Sequence, residues 1–129
     1  MSKLILIRGL PGSGKTTLAG FFANQGYQHF EADLWFTAFN SGIFDALKLK
    51  EAHNWCKSSV DKALYLGFNV VVANTFTQQW EMQDYFEIAK KQKAEVTVLI
   101  VENYHGNKSV HNVPEETMQK MKNRFEVNL

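Results

Sequence analysis

The chain is poor in the residues that mark secreted, membrane-spanning or nucleic-acid-coating proteins. It has one cysteine, Cys56, so no intrachain disulfide can form, which fits a reducing compartment. Its apolar runs are brief. After Met1-Ser2-Lys3 comes only Leu4 to Ile7, too short for a signal peptide's apolar region, and no stretch nears the length of a membrane span. A cytoplasmic location and no membrane partner are therefore expected. Charge of one sign is also lacking. The formal net charge is +1, and only two of the 14 basic residues are arginine, Arg8 and Arg124. Such a chain is badly equipped to grip a long polyanion through bidentate forks. Proline occurs only as Pro11 and Pro114, and no Pro/Ser-rich linker or internal repeat divides the sequence. Residues 1–129 are read as a single domain, of a size that buries roughly two thirds of its unfolded surface.

What is present alternates. Leu4-Ile5-Leu6-Ile7, ending at Gly9, is the continuous apolar run of a strand buried on both faces. A helix is expected from Gly14 or Lys15 towards Gln25, closed by Gly26, and a second strand over Tyr27 to Glu31. Asp33 is placed to cap a short helix through Phe39, which Asn40-Ser41-Gly42 breaks. From Asp45 to Leu66 the residues Leu49, Ala52, Cys56, Val60 and Ala63 recur at helical spacing. Val70 to Ala73 reads as the third strand, Met82, Phe86 and Ala89 as a helical face, and Val96 to Val101 as the fourth strand. Tyr104 to Val113 has no periodicity and reads as a loop, and Pro114 opens a last helix with Met118, Met121 and Phe125 on one side. Strands alternating with helices imply an α/β fold, with a mainly parallel sheet of about four strands covered on both faces. Ligands of such sheets bind beyond the strands' carboxyl ends. That rule gathers Gly9 onwards, Glu31 to Asp33, Asn74-Thr75 and Glu102 around one crevice.

Gly9-Leu10-Pro11-Gly12-Ser13-Gly14-Lys15-Thr16 satisfies the pattern G-x-x-x-x-G-K-[ST], between a buried strand and a helix. The backbone amides of such a loop point at a tetrahedral anion, and its glycines permit close approach and unusual dihedral angles. Lys15 is expected on the β- and γ-phosphates, with the Thr16 hydroxyl on Mg²⁺. The implied partner is a nucleoside triphosphate and the implied cofactors are ATP and Mg²⁺, held by residues 9–16 together with Thr17. The fold expected is thus that of the P-loop NTPases.

Further pieces follow in order. Arg8 to Ala19 is succeeded by Asp33, then Gly42-Ile43-Phe44-Asp45, Ala52-His53-Asn54-Trp55, Asn74-Thr75, Trp80-Glu81-Met82, His111-Asn112-Val113-Pro114-Glu115, and Met121 to Glu126. This set resembles the P-loop module of polynucleotide 5′-hydroxyl kinases, and more closely the related kinase-like domain of some ubiquitin-ligase-binding and many phage proteins. The resemblance spans nearly the whole chain. It implies an ATP-dependent kinase acting on a polynucleotide 5′ end or a nucleotide, with Asp33 as general base on the acceptor hydroxyl. Helix capping is the structural alternative for Asp33. The rival readings are a nucleotide-dependent regulatory module and a plain NTP hydrolase.

Departures from the family pattern are equally specific. Its third strand commonly ends in an aspartate that orients Mg²⁺, where this chain has Ala73, leaving Asp33 or Glu102 as substitutes. The arginine six residues before the proline is Lys108, expected to close over the phosphates as a point charge. Arg124 either stacks on the donor base or stays solvated. Trp35, Phe36, Phe39 and Phe44 divide between core packing and stacking of an acceptor base, with at least half expected in the core. Trp80 is expected in the core, and His53 near it, hydrogen-bonded. Lys90, Lys91 and Lys93 are expected to complement a helix dipole.

Overall fold

The computed structural model describes residues 1–102 and 124–125. The elements in chain order are β1 (Lys3–Gly9), α1 (Lys15–Asn24), β2 (Gln28–Phe30), α2 (Asp33–Phe39), a 3₁₀ turn (Ala46–Lys48), α3 (Leu49–Tyr65), β3 (Val70–Asn74), α4 (Trp80–Gln92) and β4 (Glu95–Val101). All strand pairs are parallel, in the order β2-β3-β1-β4. This is the α/β architecture the alternating pattern implied.

Strand β1 is central, which explains its unbroken apolar run. Leu4 and Leu6 face Cys56, Val60 and Ala63 of α3 and Met82, Tyr85 and Ala89 of α4. Ile5 and Ile7 face Ala19, Leu18 and Phe22 of α1 on the opposite side. Removing such a buried aliphatic side chain costs about 2–5 kcal/mol, so β1 anchors both halves of the core. The faces follow from handedness. From β1 to β2 the chain moves one way along the sheet, and from β2 to β3 and β3 to β4 it moves the other way. Right-handed crossovers then put α1 on one face and α3 and α4 on the other. Because β1 and β3 are neighbours, the segments leaving their carboxyl ends diverge to opposite faces and open a crevice between them.

Three boundaries differ from expectation, each for a local reason. The long helix begins at Leu49 rather than Asp45, because Asp45 is extended and its Oδ1 accepts the Leu47 N–H at 3.0 Å, capping the 3₁₀ turn instead. Strand β2 pairs only through Phe30, so Tyr27 packs on Phe22 and Glu31 leaves the ladder. Asp33 is the first residue of α2 rather than its cap; Ala32 holds the cap position, with helical dihedrals and no side-chain hydrogen bond. The cations at the end of α4 behave as structural groups. Lys90 and Lys91 lie in its last turn, and Lys91 Nζ pairs with Asp61 of α3 at 2.6 Å. Among the described residues no helix is long and apolar enough to cross a membrane. The expected loop Tyr104 to Val113, with Lys108, His105 and His111, and the start of the last helix at Pro114 lie outside the described residues.

Candidate active site

The loop between β1 and α1 is shaped by its glycines. Gly12 (φ 80°) and Gly14 (φ 98°) occupy the left-handed region, which L side chains adopt only with strain. At Gly9 the limit is space: a Cβ there would collide with Ser13 Oγ and lie 3.1 Å from the Val101 carbonyl. Ser13 N donates to the Leu10 carbonyl at 3.1 Å, and Pro11 and Ser13 are buried. The Ser13 hydroxyl has no hydrogen-bond partner among the described residues. Helix α1 starts at Lys15 with Gly14 as its cap residue, no capping side chain and no acid in its first turn. Its first amides, which have no carbonyl partner within the helix, are left facing the crevice. Uncapped amides, a glycine cradle and a lysine are the donor set that a polyphosphate requires.

Lys15 is half-buried, and loss of hydration pulls its pKa below the usual lysine value, while the carboxylates of Glu31 and Asp33 oppose the shift. Thr16 Oγ1 donates to Glu31 Oε1 at 2.9 Å. Glu31 is only 5% exposed, and the same oxygen meets His29 Nε2, also at 2.9 Å. Asp33, two residues further, is exposed, and its side chain makes no capping bond. Leu10 is half-buried and Thr17 exposed, beside this cluster. The structure therefore brings Gly9 to Thr16, Asp33 and one further carboxylate, Glu31, to the same end of the sheet.

Sequence reasoning put Glu31 in the crevice but gave it no role. The available signal was its spacing from His29: alternate residues of a strand share a face, so both side chains point towards α1. Ala73 is buried among Ile5, Ile7, Val71 and Ala19. Glu102 is exposed beyond β4. A cation held by Thr16 would thus find a carboxylate at the end of β2, and that hydroxyl and carboxylate suit a hard cation.

The supporting shell is built from distant segments. Asn74 Oδ1, at the end of β3, accepts the Ala32 N–H at 3.1 Å and so fixes the turn that carries Glu31 and Asp33. Arg8 is 1% exposed; its Nε donates to the Phe76 carbonyl at 2.9 Å, and its guanidinium lies 4.5 Å from the Phe125 ring centroid. Gly9 N donates to the Thr75 carbonyl at 3.3 Å. The β3–α4 turn is thereby tied to the root of the loop. Within that turn Thr77 N and Oγ1 donate to the Glu81 carboxylate at 3.0 and 2.9 Å, which ties the turn to the first turn of α4. Arg124 Nε reaches Thr77 Oγ1 at 3.1 Å, which places this arginine against the β3–α4 turn.

The remaining residues sort as follows. Phe36 is buried and Trp35 half-buried, whereas Phe39 (61% exposed) and Phe44 (62%) present ring surface to solvent. Trp80 is not in the core: it is 71% exposed at the start of α4, away from the Met82–Tyr85–Ala89 face, with its indole N–H on Gln78. His53 is half-buried, and burial followed by Lys57 holds its pKa down, against Glu81 and Asp33. Cys56 is fully buried, and burial pushes its thiol up to about 11.

Comparison with known proteins agrees with this architecture. NEDD4-binding protein 2 of Homo sapiens is 28% identical over 133 residues, which is 95% of this chain but 8% of the human protein. The chain thus spans a small part of that relative's length. A sugar kinase from Janibacter sp. HTCC2649 superposes with a TM-score of 0.68 at 16% identity, over 100% of this chain and 80% of that one. A chain of the Pnkp1/Rnl/Hen1 RNA repair complex gives 0.65 at 20% identity, over 95% and 37%. A gluconokinase from Sinorhizobium meliloti 1021 gives 0.58 at 18%, over 97% and 75%. At such identities these likenesses establish the shared fold, that of the α/β P-loop NTPases. The pattern of the AAA domain family matches residues 4–127, and the chain belongs to that family.

Proposed function

We propose that this domain binds ATP with Mg²⁺ and transfers the γ-phosphoryl group to a hydroxyl, at a polynucleotide 5′ end or on a nucleotide. The observation that carries the reading is the convergence of Lys15, the Thr16–Glu31 pair and Asp33 on one uncapped helix start. The backbone amides of Gly12 and of Gly14 to Thr16, with the desolvated Lys15, hold the polyphosphate. Thr16 would help to hold magnesium, which would supply charge neutralisation to the phosphates. Asp33 is exposed beside the crevice, so its side chain accepts the acceptor's proton as the new O–P bond forms and the bond to ADP breaks. Lys108 is assigned to the phosphates, and Arg124 to the donor nucleotide. The exposed rings of Phe39 and Phe44, on and just beyond α2, offer stacking surface to a base and support a nucleobase-bearing acceptor. The absence of an acid at Ala73 favours a second reading, an ATP-dependent regulatory module with slow turnover.

ADP release separates these readings. It is measured without acceptor, with a 5′-hydroxyl oligonucleotide, with a nucleotide and with gluconate, using Lys15→Ala as blank. Release that depends on either nucleic-acid acceptor supports the proposal. Acceptor-independent release identifies a hydrolase, gluconate-dependent release a sugar kinase, and no release a binding module; each of these contradicts it.

A further inference from the structure

We infer that the carboxylate serving the Thr16 cation site comes from the end of β2, as Glu31, in place of an acid at the end of β3. The inference rests on the proposed Mg·ATP reading and assigns a role that reading leaves open. Register carries it. Phe30 pairs with Val72 as the last rung of the ladder, so Glu31 and Ala73 are the next residues of the two segments at that end of the sheet. His29 pairs with Val71, so His29, Val71, Ala73 and Glu31 share the face towards α1. Ala73 packs near Ala19, one turn along α1 from Thr16, so a short acid at 73 would point to the Thr16 side of the helix. Neighbouring strands are about 4.8 Å apart, and the extra methylene of a glutamate helps to span that offset. The span is completed: Glu31 Oε1 lies 2.9 Å from Thr16 Oγ1.

Burial argues in the same direction. A carboxylate that is 5% exposed is costly unless partnered, and among the described residues its hydrogen-bond partners are one hydroxyl and one imidazole, with the Lys15 charge close by. Thr16 uses its proton on Glu31, which leaves the hydroxyl oxygen's lone pairs facing outward for a cation. Asp33 and Glu102 are exposed, and no hydrogen bond between either and Thr16 occurs among the described residues. Glu31 is thus a positioning residue: it orients the Thr16 oxygen and adds negative charge behind it. Carboxylates in that relation to a metal ligand typically account for 10–100-fold in metal affinity.

The test measures metal affinity rather than turnover. Mn²⁺ is titrated by electron paramagnetic resonance into the protein with saturating AMPPNP, and AMPPNP affinity is measured separately in EDTA by calorimetry. Glu31→Gln keeps an acceptor for Thr16 and removes only the charge. It is expected to weaken Mn²⁺ in the ternary complex by about tenfold or more while AMPPNP affinity in EDTA does not fall, because the charge removed repels the phosphates. Ala73→Asp added to Glu31→Gln is expected to restore most of the Mn²⁺ affinity. Wild-type Mn²⁺ affinity in Glu31→Gln, or the same loss in Asp33→Asn instead, overturns the assignment and leaves nucleotide binding intact. If wild-type protein binds no AMPPNP with or without metal, the underlying reading fails too.

Discussion

The loop after β1 and the turn after β2 meet at the Thr16–Glu31 hydrogen bond, yet they are held by different means. The first is built from its own residues: left-handed Gly12 and Gly14, the Ser13-to-Leu10 turn and a helix that starts at Lys15. The second is held from outside, by Asn74, 42 residues beyond the Ala32 amide it accepts. The segment after β3 follows the second rule, since its carbonyls are bound by Arg8 from 68 residues away. A self-built loop tolerates changes elsewhere, and an externally held turn does not. Perturbing each region in turn exposes that difference.

The largest effect is expected at Asp33. Asp33→Asn removes the proposed proton acceptor without touching the loop, so acceptor-dependent ADP release should fall by about 10²–10⁴-fold while ATP affinity is retained. Equal loss of both would mean that the two regions are not separable.

A contrast between Gly12→Ala and Asn74→Ala comes next. Gly12→Ala imposes strain of about 1–2 kcal/mol on a left-handed residue, and its effect should appear as weakened ATP binding with far-UV dichroism unchanged. Asn74→Ala strands a buried amide at about 1–3 kcal/mol, and should lower Tm and the transfer rate together. Asn74→Ala with normal transfer would show that the β2–α2 turn is as self-sufficient as the loop.

A smaller effect follows from Lys15. Burial lowers its pKa in the free protein below 10.5, and a polyphosphate beside it favours the ammonium and raises it again. Affinity for ATP is therefore complete below the free-protein pKa and declines as pH rises through it, with proton uptake on binding. Lys15→Arg stays charged and should move that decline out of the accessible range. A pH-independent affinity in wild-type protein up to the ordinary lysine range contradicts this account.

The smallest effect concerns Cys56, under the sheet. Its unfolded thiol ionises near 9.0 and its folded one at about 11, so its contribution to stability is complete below pH 9 and is lost as pH rises towards 11. At pH 8 a thiol reagent should label it only at the rate of unfolding. Rapid labelling of native protein would place Cys56 outside the packed α3–α4 face.

How much of this was legible in the sequence tracks the same division. The β1 run, the glycine-lysine loop and the α3 stripe of Ala52, Cys56, Val60 and Ala63 are local signals, and each appears where the residues put it. Asn74 on Ala32 and Arg8 under the β3–α4 turn depend on which strands are neighbours, which periodicity does not encode. Trp80 departs from expectation for a related reason: a large aromatic suggests burial, but two residues before Met82 it projects from the opposite side of α4 to the buried face. The role of Glu31 was not legible because it depends on β2 lying beside β3, so that the residue just past β2 reaches Thr16 where the end of β3 carries no acid.

The most direct measurement is isothermal calorimetry of ATP with Mg²⁺ against the full chain and its Lys15→Ala variant. One saturable site in the wild type, weakened by about tenfold to a hundredfold in the variant, is the predicted result. The absence of binding heat for every nucleoside triphosphate across a range of temperatures, or equal affinity in both proteins, would contradict it.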